Sequence, residues 1–562
     1  MASVLALAPL ACGGGGAADL VPPSLVAATP APGATEVDVE AHLVLRFSEA
    51  LARESVTPDT ITVRRRVPSL ARGWDDVLLE PVAGALTYDA ATYTVTFAAD
   101  PGLALRARYR VDVTSAVRDR AGNPLEPVDP IELETRDGRL AGAAKVGADP
   151  VVLDATRSAG PFLSVTSHGD ALLVWSDVLS AAVPAAAAWF SRYDAATETW
   201  SAQAPVIDPA ARSGSIPAGA ALGGDGTGYV LVGPSQDRQG ALFVLAARRG
   251  GEWERATTLV ESSAPHASNA VLAMDGLGDV LAAWTDQGVA IARFDAALGV
   301  WAPTLRVPGN SEVRLAANAS GHAIASWRRG VPVDPEDASA GLALIAEALR
   351  YDPATGSWGA PVRVSGLTDL LPTGGSASPA EPHLAIDRAG NAIVAWSELD
   401  GEDYSGLWTA RYDSAARTWS APFFHGRDGH FGVAMDSHGD ALALWNDGGF
   451  YFDSDVYDSR AASWQASGPT RTELSTTMPT DLVAVDSGGR AAAIACDTHR
   501  FGRLTWLRRE PGAAWGPEEE LSPQSAAPGV CALGFDARDR AVLAWRIGGP
   551  EGHGPMFVDH WR

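Results

Sequence analysis

Apolar and polar residues alternate in short runs along most of the chain. Leu43–Phe47 and Tyr93–Phe97 show this pattern, and turns rich in Gly, Pro and Asp separate such runs from one another. Alternation with a period of two is typical of strands that bury one face. The pattern predicts an all-β chain, and over residues 23–138 it predicts a β-sandwich.

A longer repeat begins after the sandwich. The pattern Asp-x-x-Gly-x-Ala-x-x-x-Trp is complete at Asp387–Trp396 and at Asp436–Trp445. Related copies end at Trp175, Trp284, Trp327 and Trp545, and degenerate copies place Pro234 and Ala495 at the tryptophan position. Successive copies lie about 53 residues apart, the length of four short strands with their loops. The repeat predicts a β-propeller of about eight four-stranded blades over residues 144–562, with seven blades as the alternative.

The last copy is too short for a whole blade. After Trp545 it contains one further strand, Met556–Trp561. Residues 144–153 include the apolar run Val151-Val152-Leu153, so we expect this segment to supply the missing strand. The ring would then close without an open sheet edge.

Two stretches resemble known families. The first module contains Leu45-Arg46-Phe47-Ser48-Glu49 and Asp119-Arg120-Ala121-Gly122-Asn123-Pro124. It resembles the bacterial Ig-like domain of the S-layer type, which implies a stalk, spacer or adhesive module. In the repeat, an aromatic–Asp pair precedes a tryptophan, as in Tyr351-Asp352 with Trp358. This is similar to the Asp-box of sialidase-like propellers, with one more residue between Asp and Trp, and implies a structural turn between the third and fourth strands.

The charge excludes one class of partner. The chain has 43 Lys and Arg against 68 Asp and Glu, a formal charge of −25. Such a chain repels nucleic acid and anionic lipid surfaces. We therefore expect no nucleic-acid partner, and contact with a membrane only through a lipid anchor.

The first residues suggest such an anchor. Val4–Leu10 is apolar, and Leu10-Ala11-Cys12 meets the glycine run Gly13–Gly16. The stretch resembles a bacterial lipoprotein signal, which implies lipidation of Cys12 and an outer-membrane or cell-surface location. Residues 1–22 would then be signal and tether. The alternative is a Gly-rich N-terminus in which Cys12 is incidental.

Five acids recur two residues beyond the tryptophan position of the repeat: Asp177, Asp286, Glu398, Asp447 and Asp497. If the copies superpose, these carboxylates share one face of the propeller, where they could bind a ligand such as sugar hydroxyls or Ca²⁺. The alternative is that each acid caps a strand end, the default place for surface charge. No Asp-x-Asp-x-Asp-Gly loop and no His-Glu-x-x-His spacing occurs, so we expect no metal or other cofactor apart from the open calcium question.

Two cysteines, Cys496 and Cys531, stand at comparable levels in the seventh and eighth copies. In an oxidising compartment they could form a disulfide between adjacent blades, and otherwise they would be small buried apolar residues.

The sequence contains no catalytic motif that we recognise. Gly-x-Ser-x-Gly is missing, and each recurrent Asp and Trp has a structural explanation. We therefore expect an exported, monomeric lipoprotein that acts as a non-catalytic binding or scaffolding module, with a glycan or protein ligand. The alternative is a sialidase-like glycoside hydrolase or lyase, although the early Arg-Ile-Pro motif of that family does not occur in the sequence.

Overall fold

The computed structural model of the protein describes residues 19–147, 160–177, 187–207, 215–234, 241–260, 268–309, 311–334, 337–365, 382–399, 405–427, 430–446, 451–466, 472–473, 483–496, 504–522, 528–547 and 556–562. These residues form strands and turns, with one 3-10 turn at Arg53–Ser55. The prediction of an all-β chain is confirmed. The chain divides into two compact units, one formed by Met1–Arg66 and Leu79–Arg136, the other by Val67–Leu78 and Asp137–Arg562.

The first unit is a β-sandwich. Its strands, two of which extend beyond it, are β1 (Leu25–Thr29), β2 (Ala34–Val37), β3 (Leu43–Phe47), β4 (Ile61–Ser69), β5 (Gly73–Pro81), β6 (Gly84–Asp89), β7 (Thr94–Ala99), β8 (Arg108–Val113) and β9 (Ile131–Thr135). One sheet has the order β1-β3-β7-β6, and the other has the order β2-β9-β8-β4-β5. Leu45, Phe47 and Val111 lie in the core and are each 1% exposed. The alternation seen in Leu43–Phe47 therefore points every second side chain into this core.

The second unit contains the repeat. Its strands are β10 (Ala144–Lys145), β11 (Phe162–Val165), β12 (Ala171–Asp177), β13 (Ala187–Asp194), β14 (Thr199–Trp200), β15 (Ala204–Pro205), β16 (Ser215–Leu222), β17 (Gly228–Pro234), β18 (Leu242–Ala247), β19 (Glu254–Val260), β20 (Ser268–Met274), β21 (Val280–Thr285), β22 (Val289–Asp295), β23 (Val300–Trp301), β24 (Leu305–Val307), β25 (Ser311–Ala317), β26 (Ala323–Asp334), β27 (Asp337–Asp352), β28 (Ser357–Trp358), β29 (Val362–Arg363), β30 (His383–Ile386), β31 (Ala392–Leu399), β32 (Ser405–Asp413), β33 (Thr418–Trp419), β34 (Phe423–Arg427), β35 (His430–Met435), β36 (Ala441–Asn446), β37 (Tyr451–Asp458), β38 (Ser463–Ala466), β39 (Thr472–Glu473), β40 (Val483–Val485), β41 (Ala491–Cys496), β42 (Leu504–Arg509), β43 (Glu519–Ser522), β44 (Pro528–Phe535), β45 (Ala541–Ile547) and β46 (Met556–Trp561).

Within the described residues these strands form eight antiparallel sheets, which we call blades. Blades 1 to 7 are β11–β14, β16–β19, β20–β23, β25–β28, β30–β33, β35–β38 and β40–β43, and blade 8 is β44, β45, β46 and β10. The first strand of one blade packs against the first strand of the next over most of the series, as β16 does against β20, and β44 packs against β11. The sheets therefore form a closed propeller ring.

Blade 8 takes its outer strand from the start of the unit. β10 pairs antiparallel with β46, with Ala144 opposite Val558 and Lys145 opposite Phe557. This pairing removes an exposed sheet edge. The apolar run Val151-Val152-Leu153 lies outside the described residues.

The repeat tryptophans pack inside the ring. Trp175, Trp284 and Trp327 are fully buried, and Trp396, Trp445 and Trp545 are at most 6% exposed. The strand register corrects one assignment: Gly228 is equivalent to Ala171, so Val232, and not Pro234, occupies the tryptophan position of blade 2. The error arose because the aspartate of that copy, Asp225, lies two residues later in its turn than the aspartates of the complete copies. Among the described residues, no helix is long and apolar enough to cross a membrane.

Candidate functional site in the slots between blades

A buried aspartate closes the turn between the first and second strands in several blades. Asp387 Oδ1 accepts the N–H of Asn391 at 2.8 Å, and Asp275 Oδ1 accepts that of Asp279 at 2.9 Å. Burial raises the pKa of the Asp387 carboxyl, while its hydrogen bonds act in the opposite direction. These aspartates hold the turn, since their oxygens are used by the backbone of their own hairpin.

A second recurrent position connects neighbouring blades. In each blade one residue of the third strand pairs with the second residue of the second strand, and we call this the bridging position. From blade 1 to blade 8 it holds Arg192, Ala246, Arg293, Arg350, Arg411, Val456, Arg508 and His560. Six of the eight residues are thus arginine or histidine.

Arg350 shows what the bridging residue does. Its guanidinium lies over the ring of Tyr412 in blade 5, 3.9 Å from the centroid, and its Nη2 donates to the carbonyl of Gly390 at 3.1 Å. The other bridging arginines also stack on an aromatic ring of the following blade: Arg192 on Trp253, Arg293 on Tyr351, Arg411 on Tyr457 and Arg508 on Trp561. His560 of blade 8 stacks on Tyr193 of blade 1 at 4.1 Å. A cation on an aromatic face is stabilising, so each arginine–aromatic pair fastens two blades together.

Blades 2 and 6 have no such side chain, because Ala246 and Val456 stand at the bridging position. After blade 6 the space is filled by Leu70, which belongs to the second unit and is fully buried against Val456. The N–H of Leu70 donates to Asp436 Oδ2 at 2.8 Å, and its carbonyl accepts from Arg509 Nη1 at 3.1 Å. We call this filled space the 6–7 slot.

After blade 2 the space is open. This 2–3 slot has a volume of about 840 Å³ and is lined by residues of blades 2 and 3. Tyr229 and Phe294 lie at its wall with their rings 6.1 Å apart, and Asp225, Glu254 and Arg248 also line it. Burial raises the pKa of the Tyr229 hydroxyl, which therefore stays protonated at neutral pH. The size is that of a small-molecule site.

A second cavity lies on the other side of blade 2. This 1–2 slot has a volume of about 500 Å³ and is lined mainly by apolar surface. Phe190 and Trp253 meet edge to face with their centroids 5.2 Å apart. Arg249 pairs with Asp194 at the rim of the slot. Blade 2 is therefore flanked by a cavity on each side.

Of the five predicted acids, Asp177, Asp286 and Glu398 lie at the other end of the blades from these slots, because they lie at the ends of the second strands whereas the slots adjoin the beginnings of those strands. Asp286 is buried and pairs with Arg306 Nη2 at 3.2 Å. Glu398 is buried and accepts the indole N–H of Trp396 at 2.6 Å. Asp177 ends β12, but its side chain lies outside the description, as do Asp447 and Asp497 entirely. The two carboxylates that are described each have a partner within their own blade.

One arrangement has the order of a catalytic relay. His425 Nδ1 lies 2.7 Å from Asp455 Oδ2, and His425 Nε2 lies 2.9 Å from Thr409 Oγ1. The His425 side chain is fully buried and Thr409 is 1% exposed. Burial lowers the pKa of His425, although Asp455 acts against it. Because no substrate can reach Thr409 Oγ1 in this arrangement, the relay serves as a buried connection between blades 5 and 6.

One acidic group among the described residues could hold a metal ion. Carboxylate oxygens of Asp19, Glu49 and Asp119 lie within 4.8 Å of one another. Burial and the two neighbouring carboxylates raise the pKa of Glu49. Acidic groups of this kind are common without an ion, so the cluster does not by itself establish a metal site.

Cys531 is disulfide-bonded. The side chain of Cys496 lies outside the described residues, and so does Cys12, the third cysteine of the chain. The pairing of Cys496 with Cys531 remains a prediction.

Comparison with known proteins identifies the first module. Residues 19–132 match the family model of the bacterial Ig-like domain. The sandwich is a bacterial Ig-like domain. The resemblance proposed from Leu45-Arg46-Phe47 and from the Asp119–Pro124 turn is confirmed, and these residues form β3 and the turn that Asp119 closes by accepting the N–H of Asn123. No curated protein matches the chain.

Solved structures resemble the remainder in fold alone. The Dos1 propeller has a TM-score of 0.44 and 10% identity, over 75% of this chain and 94% of that chain. The BP39L lectin from Burkholderia pseudomallei has a TM-score of 0.39 and 14% identity, over 65% of this chain and 98% of that one. The α-L-arabinanase of Penicillium chrysogenum, solved with arabinobiose, has a TM-score of 0.35 and 11% identity, over 75% and 98%. At these scores the likeness carries no argument about function.

The bridging arginines were missed in the sequence, although a signal for them exists. In the aromatic–Asp pairs of blades 1, 3, 4 and 5 the residue before the aromatic is arginine: Arg192, Arg293, Arg350 and Arg411. The pairs themselves lie at the turn between the third and fourth strands, where Tyr351 is opposite Trp358. The similarity of these turns to the Asp-box remains a prediction.

Proposed function

We propose that the protein is a non-catalytic binding module of a bacterial cell surface, and that its propeller binds a glycan in the 2–3 slot. The observation that carries the proposal is this slot of about 840 Å³, which lies at the place where other blades have a bridging arginine. Blade 2 lacks the stabilising contact that a bridging arginine makes with the following blade, and it has a cavity there instead. Cavities cost stability, so an open one of this size is a candidate for function.

The lining of the slot suits sugar hydroxyls. Tyr229 and Phe294 offer aromatic surface for the apolar face of a sugar ring. Asp225 and Glu254 supply acceptors, and Arg248 supplies donors. Charged groups of both signs around aromatic rings bind a polar, largely uncharged ligand better than a fatty acid or a phosphate.

The absence of catalysis is part of the proposal. Within the described part of the chain, the relay with catalytic order, Thr409–His425–Asp455, is buried away from the slots. The sialidase-like alternative has no observation in its favour among the described residues. Release of reducing sugar by the purified protein would contradict our proposal and support that alternative.

Attachment to the cell surface is proposed from the N-terminus. Cys12 would carry the lipid, and the bacterial Ig-like domain would act as a spacer between membrane and propeller. Metabolic labelling with a fatty acid, with C12S as the control, tests this. Label that persists in C12S would contradict lipidation at this residue.

An oligosaccharide array tests the binding proposal. The wild-type chain is compared with A246R, which places an arginine at the bridging position, and with A246S, which keeps the slot open. We expect bound glycans to be retained by A246S and lost by A246R. Equal binding by all three proteins would place the ligand elsewhere, and no binding at all would contradict a glycan ligand.

A further inference from the structure

The 1–2 slot and the 2–3 slot share part of their walls. Ala247 and Gly251 line both cavities. Ala247 ends β18, and Gly251 lies in the short connection between β18 and β19, the third-to-fourth strand turn of blade 2. The two slots are therefore neighbours, separated by a single hairpin, whose two strands lie about 5 Å apart.

The turn of the hairpin between the slots is exposed. Its tip is Arg248-Arg249-Gly250-Gly251, and all four residues are exposed. Gly250 has a φ of +75°, and a Cβ atom built on it would meet no atom within 4 Å. In blades 3, 4 and 5 the corresponding turns carry an aromatic–Asp pair instead, whereas blade 2 has Ala247-Arg248. A ligand can cross this turn without displacing a side chain at Gly250.

Two consecutive arginines, Arg248 and Arg249, lie on opposite sides of the hairpin. Arg248 lines the 2–3 slot, and Arg249 lines the 1–2 slot, where it pairs with Asp194. Each slot thus has a guanidinium on the side of the shared turn.

The two slots offer different surfaces. The 1–2 slot is mainly apolar, with Phe190 and Trp253 in its wall. The 2–3 slot is more polar, with acids and arginines beside Tyr229. Two adjoining subsites of different polarity match successive units of one chain better than two copies of one small molecule.

From this arrangement we infer that the ligand is a linear oligosaccharide that lies across the Arg248–Gly251 turn and occupies both slots. This inference rests on the proposed function and deepens it. The site would then recognise several successive units of a glycan chain and not a single terminal sugar. Each slot then acts as a subsite. Joining two subsites through one ligand makes the second binding event intramolecular, which raises the affinity above that of either slot alone.

A length series tests the inference. The probes are size-defined xylan, cellulose, laminarin and mannan oligosaccharides from one to six units, first arrayed and then titrated calorimetrically for the series that binds. A matched pair of variants blocks one slot each: A202R for the 1–2 slot, where Ala202 is exposed at the lining, and A246R for the 2–3 slot. A202S and A246S are the controls, and thermal unfolding checks that all variants fold.

We expect a tetrasaccharide to bind wild type at least 10-fold more tightly than its monosaccharide. A202R and A246R should each remove that gain, and only one of them should affect the monosaccharide. Equal affinity for monosaccharide and tetrasaccharide, or an unchanged tetrasaccharide affinity in A202R, would overturn the inference while leaving a single-slot lectin. If no series binds, the proposed function itself fails.

Discussion

The 2–3 slot and the 6–7 slot arise from the same change and differ in outcome. Both follow a blade whose bridging position is a small or medium apolar residue, Ala246 or Val456. In the 6–7 slot, Leu70 fills the space, and Asp436 accepts its N–H. Gly223 of blade 2 is equivalent to Asp436 in the turn between the first and second strands, and it has no carboxylate that could accept such an N–H. The comparison teaches that an interface without a bridging side chain can be filled by another part of the chain, as in the 6–7 slot, or left open, as in the 2–3 slot.

The largest effect should follow from emptying the filled slot. L70A removes a fully buried side chain, and we expect it to lower the free energy of unfolding of the second unit by about 3 kcal/mol. Denaturant unfolding followed by tryptophan fluorescence measures this. L298A is the control, since Leu298 is 73% exposed and should change stability little. Equal effects of the two variants would show that Leu70 does not seal the 6–7 slot.

The next effect concerns the bridging residue of blade 8, which can titrate. Burial lowers the pKa of His560 to about 4, and its Nε2 accepts the indole N–H of Trp200 at 3.0 Å. The unfolded chain takes up this proton near pH 6.5, so stability falls as the pH drops from about 6.5 to 4, by roughly 3 kcal/mol in total. This contribution is fully present above pH 6.5.

H560Q keeps an acceptor for Trp200 and lacks the titration. We therefore expect the stability difference between wild type and H560Q to shift in favour of the variant as the pH falls to 4, measured by urea unfolding at a series of pH values. Parallel pH profiles would contradict a low pKa for His560.

A smaller effect should follow from opening a closed interface. R350A removes the stacking on Tyr412 and leaves the carbonyl of Gly390 without this donor, so we expect a loss of about 2 kcal/mol. R388A is the control, because Arg388 is exposed in the neighbouring turn. A stability of R350A equal to that of R388A would show that bridging arginines do not fasten blades.

The smallest effect should follow from closing the open slot. A246R places a guanidinium where Phe294 can receive it, as Arg293 is received by Tyr351. We expect a gain of up to about 1 kcal/mol in thermal unfolding experiments. A clear destabilisation would mean that the 2–3 slot has a shape that the bridging side chain does not fit, and A246S separates this from a general effect at the position.

Much of the fold could be predicted because it depends on local patterns. Alternation predicted the strands, and the spacing of the tryptophans predicted a propeller. The same reasoning misplaced one copy at Pro234, because it followed Asp225 and could not see which residues pair across the hairpin. It also overlooked the arginine before four of the five aromatic–Asp pairs, whose role becomes visible only when the following blade is in place.

The sequence by itself determined that this is an all-β chain with a bacterial Ig-like domain and a repeat propeller, since periodicity and turn chemistry act over a few residues. It did not show which interface is open. Ala246 and Val456 are both apolar residues at the bridging position, so the sequence does not distinguish their two interfaces. Leu70 lies 366 residues before Asp436, the carboxylate that accepts its N–H. Only the tertiary structure decides such a matter, because the space beside a small side chain is filled or left empty by residues far away in the chain.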